Sequence, residues 1–174
     1  MKVRIVFLKE SVKAAFYSAE VVWDDNRTEE YLYKDFVSRM TDGGKNEGQL
    51  NQINRYIQRI FNEGAKKEFF GSEGIADRLP PPKFHYWDSD GVTDWGLRLY
   101  CLRVEGDCNI IILLNGDRKT SQNPRDCPNC KPHFNFAVAF ATAFYDSKMN
   151  GDIEIEGNSI NTDENFLIDV KYRV

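Results

Sequence analysis

Two kinds of reactive side chain share one short stretch, NGDRKTSQNPRDCPNC, residues 115–130. Cys127 and Cys130 form a Cys-x-x-Cys pair, the spacing used by zinc knuckles and by dithiol redox motifs. Arg118 and Lys119 sit in a glycine-containing turn just after the apolar run NIIILL, Asn109–Leu114. Two fixed cations suit a phosphodiester, because they stabilise the charge that grows on the phosphate during transfer without a metal. Upstream, Arg98 and Tyr100 share a strand face by the period-two rule. A phenol such as Tyr100 or an imidazole such as His133 can move the proton of an attacking hydroxyl. His85 is the other histidine of the chain. Each feature also has a plain structural use: Arg98 pairing with a surface carboxylate, Arg118 and Lys119 keeping a turn solvated, a histidine held in an aromatic core.

The expected hairpin decides how these groups meet. Leu97–Val104 and Asn109–Leu114 flank the turn EGDC, Glu105–Cys108, and both are rich in β-branched or large apolar residues. With Val104 facing Asn109, Cys101 pairs with Ile112, Tyr100 with Leu113 and Arg98 with Asn115. Arg98 then lies at the end of the hairpin from which Gly116–Lys119 emerges. In that register Cys101 and Cys108 are roughly 13 Å apart at ~3.3 Å per residue. A four-sulfur site with ~2.3 Å metal–sulfur bonds cannot hold both. A set of Cys127, Cys130 and His133 lacks a fourth ligand. Pro132 marks a helix start just after Cys130, which keeps the redox reading open, yet no βαβ context precedes it. Ordinary buried or loop thiols are the expected state, and no metal or cofactor is expected.

The surrounding elements follow from periodicity. Lys2–Leu8 alternates and reads as a strand, with Ala14–Trp23 an extended segment able to pair with it. Glu29–Met40 and Gln49–Glu63 carry apolar faces at helical spacing, Gly64 standing where a C-terminal cap belongs. Pro80–Pro82 end any helix, and Lys83–Trp87 is a short aromatic strand candidate. A helix over His133–Lys148 is apolar on most sides, so it should be well buried. Ile153–Ile155 and Phe166–Val170 read as late strands linked by the polar turn GNSINTDEN. This order fits an α+β domain with an antiparallel sheet and helices packed on it.

Length and composition bound the rest. The 174 residues fit a single domain, and 41% hydrophobic with 13% aromatic residues is enough for a real core rather than a disordered chain. No apolar run approaches the ~20 residues needed to span a bilayer, and MKVRIVFLKE lacks the apolar centre of a signal peptide, so a cytoplasmic location is expected. The four cysteines are too few and too clustered for a disulfide scaffold. A net charge of −4 argues against broad nonspecific affinity for nucleic acid. The distribution is uneven: Arg98–Lys131 holds six basic and four acidic residues, whereas Asp146 to the end holds seven acidic and three basic.

The stretch LRLYCLRVEGDCNIIILLNGDRKTSQNP, Leu97–Pro124, resembles the core of RelE/HigB-type toxins, especially the phage-derived HigB-like branch. The matching elements are the strand with Arg98 and Tyr100, the turn EGD, the run IIILL, and the Gly116–Lys119–Thr120 loop before a helix. The helix Gln49–Glu63 fits those that precede this sheet in the family. The resemblance implies a RelE/ParE-like core over residues 27–150, with an added strand region at 1–26 and an acidic strand extension at 151–174. It implies a metal-independent endoribonuclease that cleaves mRNA, free or on the ribosome, by 2′-hydroxyl attack on the neighbouring phosphate. A helix-turn-helix antitoxin would neutralise it. Arg98 and Lys119 would bind and polarise the phosphate, Tyr100 or His133 would assist proton transfer, and Arg103, Arg118, Arg125 and Lys131 would contact RNA. The chain is longer than such toxins and acidic where they are usually basic. A catalytically inactive protein-binding or regulatory module on the same fold is therefore the alternative.

Overall fold

The computed structural model describes residues 1–174 other than Asn26, Lys83, Ser89, Asp90, Asp94, Trp95, Pro124, Arg125, Arg173 and Val174. In chain order the elements are β1 (Lys2–Glu10), β2 (Ala15–Val22), α1 (Leu32–Thr41), α2 (Glu47–Glu63), β3 (Gly71–Glu73), β4 (Ala76–Leu79), β5 (Tyr86–Asp88), β6 (Gly91–Thr93), β7 (Leu97–Arg103) and β8 (Ile110–Arg118). There follow α3 (Cys130–Met149), β9 (Ile153–Glu156), β10 (Ser159–Thr162) and β11 (Ile168–Asp169). Among the described residues the main sheet has seven strands in the order β11-β1-β2-β8-β7-β4-β3. β2 and β8 pair in parallel, and the other neighbours pair antiparallel. The chain is thus an α+β protein with a mostly antiparallel sheet and three α-helices among the described residues.

The unbroken apolar run of β8 has a direct physical cause. Ile110, Ile112 and Leu114 pack in one core with Phe134, Ala137, Phe140, Ala141 and Phe144 of α3. Ile111 and Leu113 pack in the other core with Phe36 and Met40 of α1 and Ile53, Ile57 and Ile60 of α2. A strand covered on both faces must be apolar at every position, not at alternate ones. The result is three layers, with α1 and α2 on one side of the sheet and α3 on the other. Each large side chain buried this way contributes roughly 1.5–3 kcal/mol.

Helix α3 is apolar on most sides for a second reason. Ile153, Ile168 and Val170 from the C-terminal segment join its core, and the Tyr172 ring meets Phe136 edge-on at 5.6 Å. The same segment pairs with the first strand, Val3 opposite Ile168, and Val170 N–H donates to the Met1 carbonyl at 2.8 Å. Helix α2 ends at Gly64, whose positive φ of 93° lets its N–H return to the Ile60 carbonyl at 2.8 Å.

Three local expectations need correction. Cys101 faces Leu113 rather than Ile112, and Arg98 faces Asp117 rather than Asn115. The first residue of shift comes from the connection, which closes at Val104 N–H to the Ile110 carbonyl. Asn109 is drawn out of the ladder: its carbonyl accepts from Ala15 N–H, its Oδ1 from Ala65 N–H, and its own N–H donates to Asn158. The second comes from an irregularity between Leu99 and Cys101, where Tyr100 faces the two residues Leu114 and Asn115. The segment NGDR is therefore strand, not loop. Gly116 makes this possible, since a Cβ there would lie 1.8 Å from the Arg98 carbonyl oxygen. Finally, the turn GNSINTDEN contains β10, which pairs with β9, Ser159 opposite Glu156.

Candidate functional site

Three strands and one helix terminus build a charged site on the α3 side of the sheet. Arg78 on β4 pairs across the strands with Tyr100 on β7, and Arg98 stands two residues before Tyr100 on the same face. Lys119 follows the end of β8 and is anchored by its N–H to the Gly96 carbonyl at 3.0 Å. The Arg78 guanidinium is held by Glu73 at 2.7 Å and by the Pro80 carbonyl. Arg98 is 6% exposed and donates to the Leu97 carbonyl at 3.0 Å. Burial and then the neighbouring Arg78 charge pull the Arg98 pKa below the ordinary guanidinium value. Burial, then Arg98 and Arg78, likewise lower that of the half-exposed Lys119 ammonium. A cation made easier to deprotonate by like charges is also one that gains from an arriving anion.

Asp117 links this cluster to a second one. It is the cross-strand partner of Arg98, and its carboxylate lies 3.9 Å from Nε2 of His133 on the first turns of α3. Arg39 of α1 reaches the same carboxylate at 3.1 Å, around the point where β2 and β8 part. Those strands pair only as far as Ser18 and Leu113, and the Ser18 hydroxyl donates to the Leu113 carbonyl at 2.7 Å. Beyond that rung, polar side chains take over. Arg39 also donates to Asp35 at 2.9 Å, to Asn115 Oδ1 at 2.5 Å and to the Gly116 carbonyl at 2.9 Å, and the Asn115 amide donates to Asp35 at 2.7 Å. Burial first, and then the Arg39 charge, hold the His133 imidazole below its ordinary value of 6.5, against the opposing pull of Asp117 and Asp35. That shift favours the neutral imidazole, the form that accepts a proton.

The residues named from sequence distribute unevenly. Arg98, Tyr100 and Lys119 come together, and His133 joins them through Asp117. The Tyr100 hydroxyl is fully buried beside the Cys130 sulfur, and burial drives its pKa far up, so the phenol faces protein rather than solvent. Arg118 points to the opposite side of the sheet, where Asn46 Oδ1 accepts from its Nε at 3.2 Å and Nη2 at 2.7 Å. Arg103 lies at the far end of β7, and its backbone N–H donates to Asp77 at 2.9 Å. Lys131 is exposed at the start of α3 and shares a groove with Glu73 and Asp126. Arg125 lies outside the described residues.

Sequence reasoning missed Asp35, Arg39, Asn115, Asp117 and Arg78. The one signal available was the i,i+4 spacing of Asp35 and Arg39 on a helix.

The cysteines are also sorted by the sheet. Cys101 packs on the α1–α2 side and Cys127 and Cys130 on the α3 side, so these three thiols cannot converge on one ion. Cys127 and Cys130 lie beneath the end of β8, within reach of the Arg118 and Asp117 carbonyls at 3.8 and 3.7 Å.

No protein-family model, curated protein or solved structure matches the chain. Among the described residues no helix is long and apolar enough to cross a membrane.

Proposed function

We propose that the chain is a RelE/HigB-like toxin that cleaves RNA without a metal and is held in check by a small helix-turn-helix antitoxin. One observation carries this reading: Arg78, Arg98 and Lys119 crowd one end of the sheet beside the start of α3, with a lowered pKa at the accessible member, Lys119. In this reading Lys119 meets the phosphate and neutralises the charge that grows on it. Arg98 and Arg78 supply field from beneath. His133, whose Nε2 lies 3.9 Å from the Asp117 carboxylate, takes the proton of the attacking 2′-hydroxyl. Tyr100 has no role in proton transfer, because its hydroxyl is buried.

The alternative, an inactive protein-binding module on the same fold, draws on the shielding of Arg98 and the acidic net charge of −4. Inducing the chain in a bacterial host, with Lys119→Ala and His133→Ala in parallel, separates the two. The toxin reading expects growth arrest and fragmented mRNA, with about a hundredfold loss of cleavage in folded Lys119→Ala. Intact mRNA, together with recovery of one stoichiometric protein partner, would establish the binding module instead. Variants that cleave like the wild type would displace the proposed site.

A further inference from the structure

The two thiols of the CPNC segment are arranged for chemistry that the RNA reading does not use. The carbonyl of Cys127 accepts from Lys131 N–H at 2.9 Å, which closes a helical turn ahead of α3. Pro132 has no N–H to continue that ladder, so regular helix is counted from Cys130 although the turn begins at Cys127. Cys127 stands one turn ahead of α3, whose N-cap is Asn129, and its sulfur accepts from the backbone N–H of Cys130 three residues on. Thr120 donates its N–H to the same sulfur at 3.3 Å, and its hydroxyl lies 3.4 Å from it. The two thiols also hydrogen-bond each other, and both are free.

Their surroundings differ in the manner a dithiol couple needs. Cys130 lies deep, against the Asp117 carbonyl, where burial drives its pKa up to about 12. The fully buried Tyr100 hydroxyl faces this sulfur and hydrogen-bonds with it. A thiolate or disulfide sulfur at Cys130 would serve that buried hydroxyl as an acceptor. Cys127 has its pKa lowered to about 7: burial works against ionisation, but the donors from Thr120 and Cys130 outweigh it. Cys127 is buried, yet Thr120, which contacts its sulfur, is exposed.

We propose that Cys127 and Cys130 form a reversible dithiol–disulfide couple that exchanges with low-molecular-weight disulfides, Cys127 attacking and Cys130 resolving. The Cys127 thiolate attacks one sulfur of the small disulfide. That S–S bond breaks, a mixed disulfide forms, and one small thiolate leaves. Cys130 then attacks the Cys127 sulfur and expels the second small thiolate. The protein dithiol is oxidised by two electrons and the small disulfide is reduced by two. The two thiol protons end on the two small thiols released. The inference does not depend on any action on RNA.

The test uses the full chain carrying Cys108→Ser, which removes the half-exposed thiol of the β7–β8 connection. The native protein is incubated with oxidised glutathione and its peptides are weighed. The expected product joins Cys127 to Cys130, two hydrogens lighter, and reverts with reduced glutathione. Cys130→Ser should trap glutathione on Cys127, while Cys127→Ser should form neither product. Circular dichroism establishes that the variants are folded. If one is not, the peptide map of the Cys108→Ser chain decides. Thiols at 127 and 130 that stay reduced, a disulfide to Cys101 instead, or glutathione taken up equally by Cys130 in Cys127→Ser would each overturn the proposal.

Discussion

Arg39→Ala is the sharpest probe of how the two sides of the sheet are joined. The side chain is about a third exposed, 34%, and donates to Asp35, Asn115, Asp117 and the Gly116 carbonyl. A hydrogen bond to a charged group contributes about 1.5–3 kcal/mol when buried. The bonds to Asp35 and Asp117 are partly wet and contribute less than that. Asn115 and Gly116 are buried, so losing Arg39 takes a donor from the Gly116 carbonyl and leaves Asn115 Oδ1 with only the Gly116 N–H, where water enters poorly. The expected loss is about 3 kcal/mol, or about 6–12 °C in Tm at 2–4 °C per kcal/mol for this chain length. Arg39→Lys, a point charge without the planar fork, should recover less than half.

A second readout follows from the same contact. Arg39 helps hold the His133 pKa down, so its removal should raise it. The sign is definite. A histidine depressed below 6.5 in the folded state takes its proton more readily when unfolded. Stability is then full above about pH 6.5 and falls as the pH drops through the folded value. In Arg39→Ala that acid-side fall should shrink. Urea unfolding across pH, and an NMR titration with His133 assigned through His133→Gln, measure both effects. A loss below about 1 kcal/mol with an unmoved His133 titration would refute the coupling.

Further substitutions test single features. Tyr100→Phe removes a buried hydroxyl partnered by the weakly hydrogen-bonding Cys130 thiol, so stability should change by less than about 1 kcal/mol in urea unfolding; a larger loss would refute this. Gly116→Ala would set a Cβ 1.8 Å from the Arg98 carbonyl oxygen, and should cost about 3 kcal/mol or more by thermal melting. Phe140→Ala empties a fully buried site in α3 between Phe136 and Phe144 and should cost about 3–5 kcal/mol, again read from urea unfolding.

Much of the local structure was legible because it depends on near neighbours. The period of Leu50, Ile53, Ile57 and Ile60 marked α2, Gly64 marked its end, and alternating or continuous apolar runs marked β2, β7 and β8. Arg98, Tyr100 and Lys119 were found together because one hairpin end carries them. What escaped were contacts across long separations. Asp35 and Arg39 meet Asn115 and Asp117 about eighty positions away, because β2 and β8 part beyond Ser18 and leave polar groups to fill the gap. No periodicity within either segment encodes that meeting. The register error has the same origin, since Asn109 is held by Ala15, Ala65 and Asn158, from three other parts of the chain.

The sequence by itself determined most helices and strands (though not β3, β4, β6, β10 or the NGDR end of β8), which cations cluster in one stretch, and that Cys127 and Cys130 stand at the start of a helix. Backbone propensity and hydrophobic period act over a few residues, so they can be read locally. Only the tertiary structure decided that the central strands β7 and β8 are buried on both faces, that Cys101 lies on the side away from Cys127 and Cys130, and that Tyr100 turns its hydroxyl inward toward Cys130. It also decided that Asp117 stands between Arg98 and His133. Those outcomes depend on which strands pair and in what register, and pairing is set by burial summed over the whole chain.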